Sequence, residues 1–361
     1  MIIVKLPESA QAAQLDTACR RLLIACYGFE DRSLGWAAYQ EAPCLAHGGA
    51  LLIRYKRPKG KNRVRQLRTA LRALGLAAPT EMSCDGRFPI TIEHDLESVF
   101  RRCLRGTEEV ILDISAMTKL LILACLCKLS GFPGRLRLIY SEAEDYAPTC
   151  QEYMSASSEM ARVAIFPSRG VESIIRLTCL SSIRMQGQPT TMIAFASFNE
   201  QLVRHMLGSL SPHRLLFING RPPRPDYAWR ERATQEIHRK LIDEYANDNP
   251  VDSGGGLVRT VSTLDYRETV EELDKGYRRY GLYERIICAA TGSKMQTVGL
   301  FFSKMMHPDV HIEYPTPDSY FVRGMSTGVR TVHEVVFDNF SQVVRSLHEC
   351  AADAAALVER Y

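Results

Sequence analysis

The amino-acid sequence predicts an α/β protein made of two tandem, doubly wound domains with mainly parallel sheets, followed by a C-terminal helix. Three observations predict this class. Short apolar segments of strand length alternate with segments of roughly 10 to 15 residues that have helical periodicity. The alternation runs twice along the 361 residues. Matching residues in the two halves also stand at a nearly constant separation.

The first half contains five apolar segments that we predict to be strands. They lie at 21–30, 49–55, 88–94, 108–115 and 134–142. Helical spacing follows the first four of them, at 31–42, 64–75, 95–106 and 118–129. Strands that alternate with helices in this way form βαβ units, and such units build a parallel sheet.

The second half repeats the same order of elements. Its predicted strands lie at 190–198, 213–221, 256–264, 284–292 and 309–317. Its predicted helices lie between them, at 199–210, 230–245, 265–281 and 294–306. A second parallel sheet is therefore expected.

The separation between matching residues favours internal duplication. Lys119 and Lys294 are 175 positions apart, and Tyr140 and Tyr314 are 174 apart. Two unrelated domains of this common architecture are the alternative. The matching order, lysines and loops make duplication the preferred interpretation.

These patterns divide the chain into four parts. We predict a first domain over 1–155, a linking region over 156–188, a second domain over 189–330 and a C-terminal helix over 331–361. The linking region carries the Ser, Gly and Pro that are typical of connections. The last segment has apolar residues at helical spacing, so we expect it to pack on the body or on a second copy.

The composition is that of an ordinary globular protein, with 46% hydrophobic and 24% charged residues. The net charge of +4 is small for this length. It argues against bulk binding of nucleic acid, although it leaves room for local basic sites.

The cysteines indicate a reducing compartment. Eleven are scattered along the chain without a CxxC pair, so we expect free core thiols rather than disulfides or structural zinc. The amino-terminal residues do not resemble a signal peptide. The longest apolar run is about half of the roughly 20 residues that a membrane span needs. We therefore expect a cytoplasmic protein with no membrane partner.

Polar residues collect where the predicted strands end, and ligands of open parallel sheets bind outside those carboxyl ends. The candidate ligand-binding residues of the first half are Gly28, Arg32, Ser33, Asp113, Ser115, Thr118 and Lys119. Those of the second half are Ser197, Asn199, Thr291, Gly292, Ser293 and Lys294.

The segment Ala-Thr-Gly-Ser-Lys at 290–294 has the properties of an anion site. Gly292 permits a tight turn and a close approach of the backbone. The amide groups and the dipole at the start of the next helix favour a negative charge. Thr291 and Ser293 add hydroxyl groups, and Lys294 adds a positive charge. The spacing differs from that of a Walker loop.

A simpler interpretation is that the hydroxyl groups only cap a helix and that Lys119 and Lys294 are solvated. A lysine in the first turn of a helix is mildly unfavourable because of the dipole. Its presence at both equivalent places therefore favours an anionic partner.

Two predicted loops, 54–68 and 221–232, are rich in Lys and Arg. A solvated surface is the alternative explanation, but their place beside the candidate sites favours a polyphosphate or oligonucleotide ligand. We expect Trp229 to pack in the core in preference to stacking on a base. The candidate phosphate contacts in the loops are Arg57, Lys59, Lys61, Arg221 and Arg224.

Glu30 and Asp31 are candidate general bases, and Lys119 is a candidate catalytic cation. The alternative for this turn is a helix cap with an internal Asp–Arg pair. Asp113 ends a predicted strand, so we expect it to be buried and to need a partner: Lys119, Arg32 or an amide of the next turn. The histidines show no ligand spacing, so neither a metal nor a cofactor is expected.

The segment "IICAATGSKMQTVGLFF" resembles the strand–turn–helix motif of CARF domains, the Rossmann-like nucleotide-sensing modules of prokaryotic antiviral defence. "VILDISAMTKLLILACL" resembles a variant of the motif that lacks the glycine. The related SAVED domain joins two CARF-like units in one chain. The resemblance implies a pocket for a cyclic oligonucleotide or a similar nucleotide, completed by the turns at 28–33 and 197–200. It would be lined by Ser115, Thr118, Lys119, Thr291, Gly292, Ser293 and Lys294.

Three functions follow from these observations. The first is a sensor that binds a phosphate-rich nucleotide and signals to a protein effector, or through a homodimer, in phage defence. The second is a metal-independent ring nuclease, a phosphodiesterase acting on such a ligand. The third is an accessory subunit that binds RNA or DNA through the basic loops.

Overall fold

The computed structural model describes residues 5–57, 61–248, 258–320 and 325–358. The chain forms two compact units. The first unit comprises Leu6–Thr149 and Phe321–Arg345. The second unit comprises Met1–Lys5, Cys150–Tyr320 and Ser346–Tyr361.

The strands belong to two large sheets and two short two-stranded ones. In chain order they are β1 (Ala10–Gln11), β2 (Arg21–Cys26), β3 (Gly49–Tyr55), β4 (Thr80–Cys84), β5 (Glu109–Asp113), β6 (Arg135–Glu142), β7 (Asp145–Tyr146), β8 (Ser168–Arg169), β9 (Ser173–Ile175), β10 (Thr190–Phe195), β11 (Arg214–Arg221), β12 (Val258–Ser262), β13 (Arg285–Ala289), β14 (His311–Thr316), β15 (Ser319–Tyr320), β16 (Ser326–Thr327) and β17 (Thr331–Phe337).

The α-helices connect these strands and cover the sheets. They are α1 (Gly35–Tyr39), α2 (Val64–Ala73), α3 (Pro89–Cys103), α4 (Lys119–Leu129), α5 (Cys150–Ser155), α6 (Glu159–Ala164), α7 (Glu200–Leu210), α8 (Trp229–Asp248), α9 (Tyr266–Tyr280), α10 (Lys294–Met306) and α11 (Phe340–Val358). No helix in the described ranges is both long and apolar enough to cross a membrane.

The large sheet of the first unit has the order β1-β17-β6-β5-β2-β3-β4. Strands β2 to β6 are mutually parallel, whereas β17 pairs with β6 in the antiparallel direction. Strand β2 is buried along its whole length, and its residues 22–26 are the continuous apolar segment expected inside a parallel sheet. In chain order, the five parallel strands are arranged 3-2-1-4-5.

The large sheet of the second unit has the order β12-β11-β10-β13-β14-β9. Strands β10 to β14 are parallel, and β9 is antiparallel to β14. Its five parallel strands are again arranged 3-2-1-4-5. Both units are thus Rossmann-like α/β folds with mixed sheets. The predicted duplication requires this shared order, but so common an order also arises without duplication.

The strand order reverses between β2 and β5 in the first unit, and between β10 and β13 in the second. Chain connections leave these two neighbouring strands in opposite directions, which opens a crevice at their carboxyl ends. The turns that follow these four strands contain the candidate residues at 28–33, 115–119, 197–199 and 291–294. The fold therefore places each group of candidates at its unit's switch point.

The third predicted strand of the first half was wrong. Residues 89–94 form the first turns of α3. The third strand of the first unit is instead β4, Thr80–Cys84. Pro89 stands at the first helical position, where its fixed φ suits a helix. Ile92 and Leu96 are buried on one face of α3, so the apolar residues of this segment follow a helical period.

The domain boundaries also differ from the predicted ones. The segment predicted as a link contributes β9 to the sheet of the second unit. The segment predicted as a C-terminal helix begins with a strand, β17, which joins the sheet of the first unit. Helix α11 starts only at Phe340, because residues 331–337 pair with β6 along their whole length.

Buried charges of alternating sign cross four neighbouring strands of the first unit. Glu109 on β5 accepts hydrogen bonds from Arg21 Nε at 2.7 Å and from Arg137 Nε at 2.9 Å. Arg137 Nη1 also lies 2.5 Å from Glu334 Oε2 on β17. The side chain of Glu109 is 1% exposed. This row of ion pairs explains why β17 docks against β6 with a charged residue facing inward.

Candidate functional site

Thr291 links the two strands at the switch point of the second unit. Its hydroxyl donates to the carbonyl oxygen of Phe195 at 2.7 Å and accepts the Phe195 amide at 3.0 Å. The residue is 1% exposed. The donor and the acceptor function of this hydroxyl thus both serve the end of β10.

This role gives a stability prediction. Thr291→Val keeps the shape of the side chain but leaves backbone groups of Phe195 without their hydroxyl partner. Unpaired buried polar groups cost about 1 to 3 kcal/mol. We expect a loss of that size in the free energy of unfolding measured in urea. An unchanged unfolding midpoint would contradict the structural role.

Gly292 is required by close packing within the chain. A Cβ atom at this position would lie 2.4 Å from Gln296 Oε1 and 3.0 Å from Phe195 Cβ. Both separations are below normal van der Waals contact. The sequence correctly indicated a tight backbone approach here, and the groups approached are side chains of the same unit.

Ser293 is the N-cap of α10 and forms a capping box with Gln296. Its hydroxyl accepts the Gln296 amide at 3.0 Å, and Gln296 Oε1 accepts the Ser293 amide at 2.7 Å. The hydroxyl also donates to the carbonyl oxygen of Thr263 at 2.7 Å. Capping thus accounts for Ser293, and it fixes the start of α10 at the partly buried Lys294.

Ser197 and Asn199 shape the turn after β10. The side-chain Nδ2 of Asn199 donates to the carbonyl oxygen of Gly170 at 3.2 Å, and Asn199 is 5% exposed. His238 Nε2 lies 2.9 Å from the Ser197 carbonyl oxygen. Burial lowers the pKa of His238, so the ring is neutral at pH 7 and donates through Nε2. Ser197 is partly exposed, whereas Asn199 is buried.

In the first unit, Thr118 and Tyr55 define the start of α4. The Thr118 side chain caps the helix by accepting the Leu121 amide at 3.3 Å. The Tyr55 hydroxyl accepts the Thr118 amide at 2.8 Å and donates to Thr118 Oγ1 at 3.2 Å. Lys119 then becomes the first residue of α4, the same position that Lys294 has in α10.

The environment of Lys119 opposes its charge. The residue is partly exposed, but burial of its ammonium group lowers the pKa to about 8. An anion bound beside the ammonium would raise that pKa again. Lys119 therefore has the electrostatic properties of a group that becomes more stable when an anion binds.

Asp113 and Ser115 are internal supports of the turn after β5. Asp113 Oδ1 accepts the Ser115 amide at 2.9 Å, and Asp113 is 6% exposed. This confirms the predicted burial and the predicted amide partner. The Ser115 hydroxyl accepts the Ser141 amide at 2.8 Å. Ser115 is fully buried, and this hydrogen bond serves the fold.

Gly28 brings two turns together at the switch point of the first unit. A Cβ atom at Gly28 would lie 2.7 Å from Ser33 Cβ and 2.8 Å from Ala116 Cβ. The turn after β2 therefore packs directly on the turn after β5. Ser33 is buried, and its hydroxyl donates to the Glu30 carbonyl oxygen at 2.7 Å.

Glu30 and Arg32 form an ion pair inside this turn. Arg32 Nη2 lies 2.8 Å from Glu30 Oε2, with both side chains close to one-tenth exposed. The hydroxyl of Ser326 donates to the other oxygen of Glu30. Burial lowers the pKa of Arg32, but the charges of Glu30, Tyr140 and Tyr146 and the hydrogen bond to Glu30 together outweigh it, and the pKa lies above its usual value. Arg32, a candidate ligand-binding residue, is thus held by Glu30 inside this turn.

Asp31 is also engaged in structural contacts. One of its oxygens lies 2.6 Å from Arg63 Nη2, and the other accepts the Gly328 amide at 2.9 Å. A general base must be able to take a proton from substrate. Both oxygens of Asp31 are held by a guanidinium and an amide of its own unit, so the structural alternative explains this turn better than catalysis.

Two arginines of the second basic loop pair with neighbouring carboxylates. Arg221 Nη2 lies 2.7 Å from both oxygens of Glu268, and Arg224 Nη2 lies 2.5 Å from Asp226 Oδ2. Trp229 is 8% exposed and packs in an aromatic cluster. That packing confirms the predicted core position of Trp229.

The first basic loop is partly exposed. Arg57 and Lys61 face solvent, and Lys59 lies outside the described residues. Arg54 and Arg68 both pair with Glu81. Such partners reduce the positive potential that either loop offers to a long nucleic acid.

Two contributors to the candidate sites were missed from the sequence. Gln296 completes the capping box, and the pattern Ser293-x-x-Gln296 is a signal that could have identified it. Tyr55 was treated only as the end of a strand. Its contact with Thr118 depends on the neighbouring positions of β3, β2 and β5, which no local pattern encodes. Over the described ranges, no group of three or more His, Cys, Asp or Glu is placed to hold a metal ion.

Comparisons with known proteins add little to this picture. No protein-family model matches the chain, and no characterised protein matches it in sequence. Among solved structures, a universal stress protein from Archaeoglobus fulgidus DSM 4304 is 9% identical, with a TM-score of 0.22, over 82% of this chain and 96% of that one. A UDP-GlcNAc 2-epimerase from Neisseria meningitidis, bound to UDP-GlcNAc, is 10% identical, with a TM-score of 0.22, over 80% and 92%. Scores this low carry no argument about function.

Proposed function

We propose that the protein binds a phosphate-rich nucleotide at the carboxyl ends of its parallel strands and signals its presence to a protein partner. The ligand class that we favour is a cyclic oligonucleotide, and the setting is phage defence. The resemblance of the two turn segments to CARF motifs suggests both. Internal duplication of one nucleotide-binding domain would account for the repeated arrangement.

One observation carries the proposal. Lys119 and Lys294 are the first residues of α4 and α10. Each helix follows the fourth parallel strand of its unit and starts beside the switch point. A first-turn lysine opposes the helix dipole, so its presence at both equivalent places favours binding of an anion that both the lysine and the dipole attract.

The remaining geometry favours a compact ligand over a long strand. Arg221 and Arg224 are paired with carboxylates, which weakens the case for an extended nucleic-acid surface. The contacts of Glu30 and Asp31 weaken the case for a ring nuclease. A bound phosphate would instead meet helix amides, hydroxyl groups and an ammonium group, which suit retention of a ligand.

A binding panel tests the proposal. Isothermal titration with cyclic dinucleotides, trinucleotides and tetranucleotides, and with their linear forms, should identify a cyclic member that binds and is recovered intact without added metal. Cleavage of that member would favour the nuclease. Binding only to long single strands, with a steep loss in salt, would favour the accessory subunit. Either result would overturn the proposal.

The pKa of Lys119 predicts that the affinity of the first unit for its ligand depends on pH. Below pH 8 its ammonium is charged and attracts phosphate; as pH rises through 8 the charge is lost. The charge on a phosphodiester stays constant in this range. We expect affinity at the first unit to fall about tenfold between pH 7 and pH 9, when about one-tenth of the ammonium remains. Lys119→Arg, which stays charged, should remove the pH step, and an unchanged step would contradict this assignment.

A further inference from the structure

Gln296 is the third residue of α10 and lies under the turn that follows β13. It is 2% exposed. Its Oε1 accepts the Ser293 amide at 2.7 Å. Because that amide is a donor, the oxygen of the Gln296 side chain has to face it. The orientation of the Nε2 group is fixed as a result.

That Nε2 group is a buried donor. Within the part of the chain that the structure describes, it has no hydrogen-bond partner. Native proteins pair nearly all buried polar groups, because an unpaired one keeps its full desolvation cost. Gln296 Nε2 is therefore a donor to which a ligand can add the missing acceptor.

Two glycines surround this amide. A Cβ atom at Gly220, near the end of β11, would lie 3.6 Å from Gln296 Nε2. A Cβ atom at Gly292 would lie 2.4 Å from Gln296 Oε1. Neither glycine places a Cβ atom of its own beside the amide. The amide thus lies at the strand ends where open parallel sheets bind ligands.

We propose that Gln296 is a ligand-binding residue of the second unit, and that its Nε2 donates to a phosphoryl oxygen held at the start of α10. This inference rests on the proposed function, since it names one contact of the same site. The dipole of α10 and the charge of Lys294 attract the phosphate. Gln296 adds a neutral donor at a fixed position, which selects the orientation of the phosphate.

Gln296→Glu separates this role from helix capping. A glutamate at the third helical position can still accept the Ser293 amide, and it suits a capping box and the helix dipole. Only the donor is exchanged, for an oxygen that carries negative charge. The variant should therefore keep its fold while repelling a phosphate.

The experiment compares wild type, Gln296→Glu and Gln235→Glu by isothermal titration at pH 8. The probes are the cyclic oligonucleotide panel and inorganic pyrophosphate. Gln235 is exposed on α8, so its variant controls for the added charge. We expect at least a tenfold loss of affinity at the second unit for Gln296→Glu, a change within about twofold for Gln235→Glu, and similar thermal unfolding of all three.

A second measurement at pH 5 checks the mechanism. Protonation of the introduced carboxyl restores an O–H donor, so the affinity deficit of Gln296→Glu should shrink. If the glutamate variant does not fold, Gln296→Met removes the donor without adding charge and should show the same direction of loss. Wild-type affinity in either folded variant would overturn this inference alone. A wild type that binds no probe would overturn the proposed function together with it.

Discussion

Replacing Glu109 with alanine is expected to destabilise the first unit by about 3 to 5 kcal/mol, the usual cost of leaving buried charges without their partner. Glu109 is the common partner of Arg21 and Arg137, and all three side chains are less than one-tenth exposed. Its removal leaves two guanidinium groups that have lost their shared carboxylate. The free energy of unfolding in urea is measured by following the far-ultraviolet circular dichroism of the protein.

A matched control lies on the surface of the same unit. Glu97 also bridges two cations, Arg101 and Lys128, but its side chain is 45% exposed. Solvent screens such pairs, so Glu97→Ala should cost about 1 kcal/mol or less. If both substitutions lower the free energy of unfolding by the same amount, burial does not determine how much the ion pairs of Glu109 stabilise the unit.

Removing both first-turn lysines is expected to weaken nucleotide binding at both units. Hydrogen bonds to charged groups contribute about 1.5 to 3 kcal/mol each. For Lys119→Ala combined with Lys294→Ala we therefore expect a loss of affinity of about tenfold to a hundredfold at each unit for the cyclic oligonucleotide that wild type binds. Each single variant should weaken binding at its own unit. Mass spectrometry of small molecules that copurify with the protein should show the same loss.

The control for this double variant has the same change in net charge. Lys240 and Lys275 are exposed lysines of the second unit. Their double alanine variant should change affinity by no more than about twofold, because distant surface charges are screened by salt. A similar loss in both double variants would show that net charge, and not the start of α4 and α10, governs binding.

The sequence predicted the central strands well because they are continuous apolar segments bounded by turn residues. Residues 22–26 and 286–289 are such segments, and both lie in inner strands. The third strand of the first unit was missed because Thr80–Cys84 carries exposed polar residues at the edge of its sheet. An edge strand buries few residues, so its composition resembles that of a loop.

The return of the chain to the first unit could not be predicted from local patterns. Residues 331–337 form β17 by pairing with β6. Glu334 can be buried in this strand because it pairs with the buried Arg137. That partner lies almost two hundred positions earlier. A pairing between residues so far apart in the chain cannot be recognised from a short segment of sequence.

The candidate sites were predicted in position but only partly in role. The starts of α4 and α10 lie where the alternation of strands and helices indicated. Thr291 and Ser115, however, use their hydroxyl groups inside the fold, because strand ends that meet at a switch point need partners for their backbone groups. The same requirement explains the unpredicted role of Tyr55, whose hydroxyl reaches Thr118 from the neighbouring strand.

The most direct test of the central claim is a crystal structure of the protein with the cyclic oligonucleotide that the panel identifies. The claim that the starts of α4 and α10 bind phosphate predicts phosphoryl oxygens within hydrogen-bonding distance of Lys119 or Lys294 and of the backbone amides beside them. A ligand found instead along the exposed residues Arg57 and Lys61, with both helix starts unchanged and unoccupied, would contradict the claim.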